Sequence, residues 1–300
     1  MNDKLIRDKI FCGIKGKVKL KELLHRHTTF KIGGPARFFI EPKDSVDLRL
    51  LLASAKKYKI PILVIGRGSN ILVNDKGVKG IVLQLNSKVF RKISIKRSCL
   101  EAGSGVTLRQ LIQAAQERSL AGAEFLAGIP GTVGGALAMN AGARGRNIGD
   151  LVQKATVMDY NGNIKILSKK DIGFEYRKSN LRKFIILSVC IKLAKKNKKE
   201  IKDTINKYLN YRRNTQGTYL PNAGCIFKNP PSESAGRLID LCALKGKRIG
   251  GASVSLRHAN FILNQKHACA GDVIKLIELI RKKVKDKFNI TLEPEIKIWQ

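Results

Sequence analysis

Residues 125–143, with the sequence FLAGIPGTVGGALAMNAGA, contain no charged side chain, although Asp, Glu, Lys and Arg make up 27% of this 300-residue chain. Glycine lacks the Cβ atom that keeps a bound group at a distance, so a glycine-rich stretch can bring main-chain N–H groups close to an anion. The Gly-Ile-Pro-Gly and Gly-Gly sequences interrupt any helix, which disfavours a transmembrane segment here. The stretch therefore predicts a loop that binds an anionic group through its backbone.

A second glycine loop, IGRGSNILVND, follows a short apolar segment and resembles the first in composition. Gly66-x-Gly68 lacks the third glycine of a dinucleotide-binding fingerprint, and Gly128-x-x-Gly131-x-x-Gly134 contains no GxGxxG. Neither loop contains the Gly-Lys-Ser/Thr of a P-loop, so a Rossmann domain and a P-loop NTPase are both disfavoured. Two such loops indicate a long, phosphate-bearing ligand; two tight turns are the structural alternative.

The charge of the chain is strongly unbalanced, with 58 Lys and Arg against 23 Asp and Glu, a net charge of +35 and a pI near 10.2. Hydrophobic residues make up 43% of the chain, so these cations lie on the surface of a folded protein and not in a disordered tail. Such a surface favours anionic partners, but the lysines are spread over predicted helices and are not interleaved with aromatic residues. We expect no nucleic-acid and no membrane partner.

The cysteines and histidines indicate neither a disulfide framework nor a metal site. The six cysteines are widely spaced, with no CxxC pair and no Cys/His ligand spacing, which is typical of a reducing cytosol. His25 and His27 lie two residues apart without further ligands, so we expect no metal there. The first 18 residues have no continuous apolar segment, so no signal peptide is expected.

Helix and strand patterns alternate from residue 45 onward, which predicts a mixed chain of the α+β class. The charge run KKNKKE, before the helix-like segment IKDTINKYLNYRR, is the best candidate for a domain joint, or simply the exposed start of that helix. Apolar residues on one face define three predicted helices, and Asn161-Gly162 marks a hairpin. The helical faces are Leu108, Leu111, Ile112 and Ala115; Ile201, Ile205, Tyr208 and Leu209; and Val273, Ile277, Ile280 and Val284.

Seven segments occur in the order, and close to the spacing, of one enzyme family: HTTFKIGGPA, IGRGSNILVND, GIPGTVGGALAMNAGARG, YRKSNL, NAGCIFKNP, AGRLIDLCALKGKRIGGASVSLRHANFILN and LEPEIKI. From about residue 20 to 298 the chain resembles the UDP-N-acetylenolpyruvoylglucosamine reductases, also called UDP-N-acetylmuramate dehydrogenases. The resemblance implies a cytoplasmic flavoenzyme of peptidoglycan, and hence cell-wall, biosynthesis that uses FAD as cofactor and NADPH as co-substrate. We expect a monomer.

The resemblance also implies a domain plan. Residues 1–19 would be an N-terminal extension, residues 20–195 an FAD-binding module of the vanillyl-alcohol oxidase type with two α+β subdomains, and residues 196–300 a smaller α+β substrate-binding domain. In the family the two glycine loops hold the FAD pyrophosphate by main-chain N–H groups. The implied cofactor-binding residues are Gly66, Arg67, Gly68, Ser69, Asn70, Ile129, Pro130, Gly131, Thr132, Val133, Gly134, Gly135, Asn140, Ala141 and Gly142.

The family reaction reduces the enolpyruvyl ether of UDP-GlcNAc-enolpyruvate to UDP-N-acetylmuramate. NADPH reduces FAD, the flavin N5 passes hydride to the vinyl C3, and negative charge spreads from C2 into the substrate carboxylate. Arg177 in YRKS would hold that carboxylate by two parallel hydrogen bonds, with a surface ion pair as the alternative. Glu295 in LEPE would share a proton with the enol-like intermediate, which requires it to be protonated near neutral pH, whereas Glu293 is expected to be structural.

Cys225 lies where many family members carry the serine that donates a proton to C2. A thiol, with an ordinary pKa of about 8.5, is a stronger acid than a hydroxyl, so the replacement preserves the role but makes the donor oxidisable. We expect the other five cysteines to be small buried residues without a functional role.

Substrate contacts are implied for Tyr176, Lys228 and Asn229, with Lys228 beside the UDP diphosphate. Arg213 would approach the flavin or a phosphate, or lie at a solvated helix end. His258 and Asn260 would line the pocket or hold their turn by hydrogen bonds.

The chain departs from some family members in lacking the long insertion that carries a tyrosine lid, so it resembles the shorter class. Two other functions remain as alternatives. An FAD-dependent alcohol or sugar oxidase shares the flavin module but leaves the NAGCIFKNP and LEPE motifs unexplained. A nucleic-acid-binding protein is motivated by charge alone and predicts a colourless protein.

Overall fold

The computed structural model describes residue 8, residues 10–217 and residues 219–299. The chain forms two compact units, each assembled from three segments. Unit 1 consists of Met1–Leu20, Phe38–Gly66 and Gly80–Tyr211, and unit 2 of Lys21–Arg37, Arg67–Lys79 and Arg212–Gln300. The proposed division into residues 1–19, 20–195 and 196–300 stays a prediction.

Helices and strands alternate along the whole described chain. The helices are α1 (Ser45–Lys57), α2 (Leu108–Glu117), α3 (Val133–Ala138), α4 (Lys198–Gln216), α5 (Ala235–Leu241) and α6 (Ala270–Phe288). The strands are β1 (Lys17–Leu23), β2 (Pro35–Glu41), β3 (Ile62–Val64), β4 (Ile71–Val73), β5 (Val78–Leu83), β6 (Ile93–Lys96), β7 (Cys99–Gly103), β8 (Leu120–Ala121), β9 (Gly142–Ala143), β10 (Arg146–Asn147), β11 (Val152–Met158), β12 (Ile164–Ser168), β13 (Phe174–Glu175), β14 (Lys178–Ser179), β15 (Ile185–Lys192), β16 (Ala194–Lys195), β17 (Asn222–Cys225), β18 (Arg248–Ile249), β19 (Ala252–Val254), β20 (Phe261–Asn264) and β21 (Lys297–Trp299).

Unit 1 is built on a five-stranded antiparallel sheet of order β12-β11-β15-β7-β6. Strands β11 and β12 form the hairpin predicted at Asn161-Gly162, with Gly162 at φ +87° in the connecting loop. A second sheet has the order β1-β2-β5-β3, and within unit 1 β3 runs parallel to β5, with Leu63 opposite Val82. Small two-stranded pairs, β9–β10, β13–β14 and β8–β16, surround the glycine-rich stretch.

Two separate hydrophobic clusters fill unit 1. One contains the predicted apolar face of α2, in which Leu108, Leu111, Ile112 and Ala115 are all buried. Burial of each larger aliphatic side chain contributes about 1.5–3 kcal/mol to folding. The other contains the inner face of α1 with strands β2 and β5, and it includes Phe11, whose ring meets that of Phe38 edge-on at 5.0 Å.

Asp47 anchors the N-terminal residues to unit 1. Its carboxylate is buried and accepts the N–H groups of Lys15 at 2.8 Å, Gly16 at 2.7 Å and Lys43 at 2.9 Å. Hydrogen bonds of this kind satisfy a buried charge, which would otherwise be costly.

Unit 2 packs helices α5 and α6 against a four-stranded antiparallel sheet of order β17-β20-β19-β18. The predicted face of α6 is confirmed, since Val273, Ile277, Ile280 and Val284 are buried. The last strand, β21, runs parallel to β4, with Ile298 opposite Leu72. This pairing ties the C-terminal motif to the segment that follows the second glycine loop.

Two sequence expectations are wrong. On α4 only Ile201 is buried, Ile205 and Tyr208 pack partly against the core, and Leu209 is 39% exposed, because Leu209 lies at the edge of the helical face that carries the other three residues. The cysteines are not all small buried residues without a partner, since Cys99 and Cys190 form a disulfide and Cys12 and Cys269 are exposed. Cys99 and Cys190 lie on the paired strands β7 and β15, and only that register brings residues 91 positions apart together.

The predicted α+β class is confirmed, and the two clusters of unit 1 match the expected two subdomains of the N-terminal module. Among the described residues, no helix is long and apolar enough to cross a bilayer.

Candidate active site

The glycine loop, residues 128–135, lies in unit 1 and leads into α3. Its backbone is fixed against the start of α2, because Leu108 N–H donates to the Gly131 carbonyl at 3.1 Å and Val133 N–H donates to the Val106 carbonyl at 2.8 Å. Thr132 is the N-cap of α3, and its hydroxyl accepts the N–H of Gly135 at 3.4 Å. The loop is therefore held in place by bonds to α2 and by the cap of α3.

Two glycines of this region, Gly66 and Gly134, leave no room for a side chain. A Cβ on Gly66 would lie 2.5 Å from Thr132 Oγ1, and one on Gly134 would lie 2.9 Å from Ser104 Cβ. Glycine is thus required for the close approach of three backbone segments, which is the kind of cradle that an FAD diphosphate needs.

Only part of the loop's main chain can donate to a ligand. The N–H of Gly134 donates to the Ser104 carbonyl at 2.9 Å, and that of Ile129 donates to the Leu126 carbonyl at 3.1 Å. Within the described residues, the N–H groups of Gly131 and Thr132 have no acceptor. These two neighbouring amides, at the N-terminal side of α3, are the donors that fit a phosphate group.

Asn140, predicted to bind the cofactor, uses its side chain inside the protein. It is 5% exposed, its Oδ1 accepts the N–H of Gly149 at 3.1 Å, and its Nδ2 donates to the Glu175 carbonyl at 3.0 Å. Ala141 N–H donates to the Ala136 carbonyl, and Gly142 pairs with Asn147 in the β9–β10 hairpin. This end of the stretch holds neighbouring segments together.

Arg177 lies at the tip of the β13–β14 hairpin, beside Gly142. Its Nη1 donates to the Gly142 carbonyl at 3.4 Å, and its guanidinium carbon lies 5.1 Å from the ring centre of Tyr176. Tyr176 is about half exposed. Unit 1 therefore places the predicted carboxylate-binding arginine next to the end of the glycine-rich stretch.

In unit 2, Cys225 and Glu295 lie on neighbouring segments. Glu295 N–H donates to the carbonyl of Ile226 at 2.8 Å, and Lys228 N–H donates to the carbonyl of Glu293 at 2.9 Å. These two bonds flank the bridge between Phe227 and Pro294. Two predicted catalytic residues that are 70 positions apart in sequence are thus brought together by main-chain pairing.

Asn260 holds the same segment from its other side. It is 2% exposed, its Oδ1 accepts the N–H of Phe227 at 2.9 Å, and its Nδ2 donates to the Phe227 carbonyl at 2.8 Å. The Asn260 side chain therefore hydrogen-bonds to a different segment, and not within its own turn. His258 packs against Phe261 with ring centres 4.6 Å apart, and burial lowers its pKa below the ordinary value.

The second glycine loop lies at the boundary of the two units, with Gly66 in unit 1 and residues 67–70 in unit 2. Asn70 Nδ2 donates to the Glu295 carbonyl at 3.2 Å, and Lys297 N–H donates to the Asn70 carbonyl at 3.0 Å. Gly68 has φ +60°, and a Cβ there would meet the His27 carbonyl oxygen at 2.3 Å. Arg67 is exposed and Ser69 partly buried. The link from Asn70 to Glu295 has no signal in the sequence.

Of the remaining predicted residues, Lys228 forms an ion pair with Glu293, with Nζ and Oε1 2.5 Å apart. Any diphosphate bound by Lys228 has to compete with that carboxylate. Asn229 is exposed, and its Oδ1 accepts the N–H of Ala235 at 3.1 Å at the start of α5. Arg213 is exposed in the last turn of α4. The described residues contain no group of three His, Cys, Asp or Glu side chains able to hold a metal ion.

Two family models match the chain. An FAD binding domain matches residues 36–168, and the UDP-N-acetylenolpyruvoylglucosamine reductase C-terminal domain matches residues 215–299. The first match confirms the predicted FAD-binding module.

Relatives of known name match over nearly the whole chain. The UDP-N-acetylenolpyruvoylglucosamine reductase 2 of Symbiobacterium thermophilum is 42% identical over 95% of this chain and 92% of its own. The reductase of Caldanaerobacter subterraneus subsp. tengcongensis is 43% identical over 95% and 94%. The crystal structure of the reductase from Thermus caldophilus superposes with a TM-score of 0.82 at 36% identity, covering 95% of this chain and 99% of that one. The chain therefore belongs to the UDP-N-acetylenolpyruvoylglucosamine reductase family.

Proposed function

We propose that this chain is an FAD-dependent reductase that converts UDP-GlcNAc-enolpyruvate to UDP-N-acetylmuramate for peptidoglycan synthesis, with NADPH as the reductant. We further propose that it acts in the cytoplasm as a monomer. The observation that supports the proposal most is the main-chain pairing of the Cys225 and Glu295 segments, because it puts two motifs of the family on neighbouring stretches of backbone.

FAD, held by the glycine loop, would supply the hydride that reduces C3 of the vinyl ether, with NADPH as the source of that hydride. Arg177 binds the substrate carboxylate through two parallel hydrogen bonds and stabilises the negative charge that reaches it from C2. The Cys225 thiol donates its proton to C2, which completes the saturated ether and leaves a thiolate to be reprotonated from solvent. Glu295, as a carboxylic acid, donates a hydrogen bond to the enol-like oxygen.

The cofactor-binding roles rest on the glycine loop. The amides of Gly131 and Thr132 donate to the diphosphate, while the glycines at 66 and 134 keep the backbone segments close. Tyr176 and Asn229 contact the substrate. Lys228 binds the UDP diphosphate by exchanging its carboxylate partner Glu293 for phosphate oxygens.

The test is a pair of anaerobic half-reactions with the purified, FAD-loaded protein. NADPH should bleach the yellow flavin absorbance, and UDP-GlcNAc-enolpyruvate should restore it with formation of UDP-N-acetylmuramate. Bleaching that no enol ether reverses, while oxygen reverses it rapidly, would replace the proposal by an oxidase. Parallel titrations with NADH, and light scattering of the eluted protein, test the reductant and the monomer.

A further inference from the structure

Arg182 makes three hydrogen bonds that link the Arg177 hairpin to the end of α3. Its Nε donates to the Ala138 carbonyl at 2.9 Å, and its Nη2 donates to the Arg177 carbonyl at 2.9 Å and to Met139 Sδ at 2.8 Å. The fixed planar fork of a guanidinium can address several acceptors at once, whereas an ammonium group cannot match that geometry. We propose that Arg182 is a positioning residue that sets where the Arg177 side chain lies.

Arg177 needs an external support because its backbone is unfavourable. It is the second of the two central residues between Glu175 and Lys178, and its φ is +57°. A positive φ at that position of a turn is typical of glycine or asparagine and costs energy for a residue with a Cβ. Such a conformation persists only where neighbouring groups fix it. The Arg182 bond falls on the carbonyl of this strained residue itself.

Two further side chains hold the strands of the hairpin. Ser179 is 2% exposed, and its hydroxyl donates to the Leu137 carbonyl at 2.8 Å on one strand. Asn140 holds the Glu175 carbonyl on the other strand. Loss of Arg182 should therefore release the Tyr176–Arg177 tip while the hairpin and its module stay folded.

The acceptors of Arg182 are neutral, two carbonyls and a thioether. Within the described residues Arg182 has no carboxylate partner, so its bonds orient a backbone and do not neutralise an acid. A role in orientation and a role of charge alone make opposite predictions for Arg182→Lys, which keeps the charge and loses the fork.

This role rests on the proposed function, since Arg177 is assigned to the substrate carboxylate. We expect Arg182→Met to raise the KM for UDP-GlcNAc-enolpyruvate about tenfold or more, because small misplacement of a binding group weakens every step that uses it. FAD content and the rate of flavin reduction by NADPH should stay at wild-type values. Arg182→Lys should lose kcat/KM as well, and on a logarithmic scale its loss should be more than half of the loss in Arg182→Met. Lys183→Met removes the neighbouring exposed cation and should behave as wild type.

A double-mutant cycle tests whether Arg182 acts through Arg177. In an Arg177→Met background, Arg182→Met should produce little further change in KM, because the group that it positions is gone. Full additivity of the two effects, or full rescue by Arg182→Lys, would overturn the proposal.

Amide hydrogen exchange gives a readout that does not depend on substrate. Exchange at residues 175–178 should be faster in Arg182→Met than in Lys183→Met, with α3 unchanged. Unchanged exchange at the tip overturns the positioning role whatever the kinetics. If the wild-type protein does not reduce the enol ether at all, the proposed function fails, and exchange still decides whether Arg182 holds the tip.

Discussion

The segments around Arg177 and around Cys225 reach a fixed geometry by different means. The Arg177 hairpin is a two-residue turn whose position depends on side chains, namely Asn140, Ser179 and Arg182, that bond to main-chain carbonyls. The Cys225 segment is held by main-chain pairing with the residues around Glu295 and with β20. Asn260 adds a side-chain clamp at Phe227, and Asn70 and Thr29 add one bond each, to the carbonyls of Glu295 and Asn222.

The difference separates two kinds of sensitivity to substitution. Where side chains position a backbone, a single substitution shifts the site without unfolding the protein. Where paired backbones position the site, replacing the reactive side chain alters chemistry alone, and position is lost only together with stability. The four predictions below test this contrast, in order of decreasing expected effect.

Cys225→Ala should leave the fold and the FAD content intact and lower the rate of flavin reoxidation by the enol ether by about 10²–10⁴-fold, the usual contribution of a general acid. Cys225→Ser should retain much of that rate. Stopped-flow absorbance of the prereduced protein measures both, with Cys12→Ala, an exposed cysteine, as the control. Equal rates in wild type and Cys225→Ala would remove the thiol from the mechanism.

Asn260→Ala should lower the free energy of unfolding by about 2–4 kcal/mol, because it leaves the buried N–H and C=O of Phe227 without partners. Asn260→Asp keeps an acceptor for the N–H but places a buried carboxylate against the Phe227 carbonyl, so its loss should be at least as large at neutral pH and should shrink as the carboxyl group is protonated. Urea unfolding followed by circular dichroism measures both values. A loss below 0.5 kcal/mol for Asn260→Ala would show that main-chain pairing alone fixes the Cys225 segment.

Asn140→Ala should cost about 1–3 kcal/mol and, unlike Asn260→Ala, raise the KM for the enol ether in the protein that remains folded. The reason is that its two bonds join different segments, at Gly149 and Glu175, so their loss frees one strand of the Arg177 hairpin. Asn140 has φ +42°, and Asn140→Gly should therefore lose the same bonds at a smaller cost in stability. An Asn140→Ala protein with unchanged KM would weaken the contrast between the two regions.

Asp159 gives a side-chain clamp remote from both segments. Hydrogen bonds led by the N–H of Asn163, together with the side chains of Asn163 and Lys165, lower its pKa from 3.8 to about 2. A carboxyl group whose pKa is lowered by folding stabilises the folded state above its unfolded pKa, and this contribution is lost as pH falls from about 4 to about 2. The Tm difference between wild type and Asp159→Asn should therefore shrink over that interval. Asp203→Asn, which changes an exposed acid on α4, is the control. A Tm difference between wild type and Asp159→Asn that stays constant over this pH interval would contradict the stabilising role of Asp159.

Local patterns predicted most elements correctly, because they report which face of an element is buried. The faces of α2 and α6 follow directly from apolar spacing, and the β11–β12 hairpin follows from Asn161-Gly162. The same reasoning failed at Leu209, since apolar spacing does not tell how wide the buried face of a helix is.

The site residues were assigned by family resemblance more than by spacing, and their roles stay predictions. Nothing in the sequence places Cys225 beside Glu295, because the register of non-adjacent segments depends on the whole unit. The resemblance implies that the main-chain N–H groups of the loop bind the cofactor. The sequence does not show that several of these N–H groups are bonded within the protein, as they are in the structure. Arg182 had a weak signal, as a second arginine five positions after Arg177, but its geometry is visible only in the folded hairpin.

The parallel pairing of β21 with β4 has a consequence for biosynthesis of the protein. Unit 2 combines segments from residue 21 onward with the last strand of the chain, so it cannot close until translation has passed Trp299. Most of unit 1 has by then left the ribosome and can fold first. A nascent chain that stalls before residue 295 would expose the unpaired edge of β4 and lack the carboxyl group of Glu295.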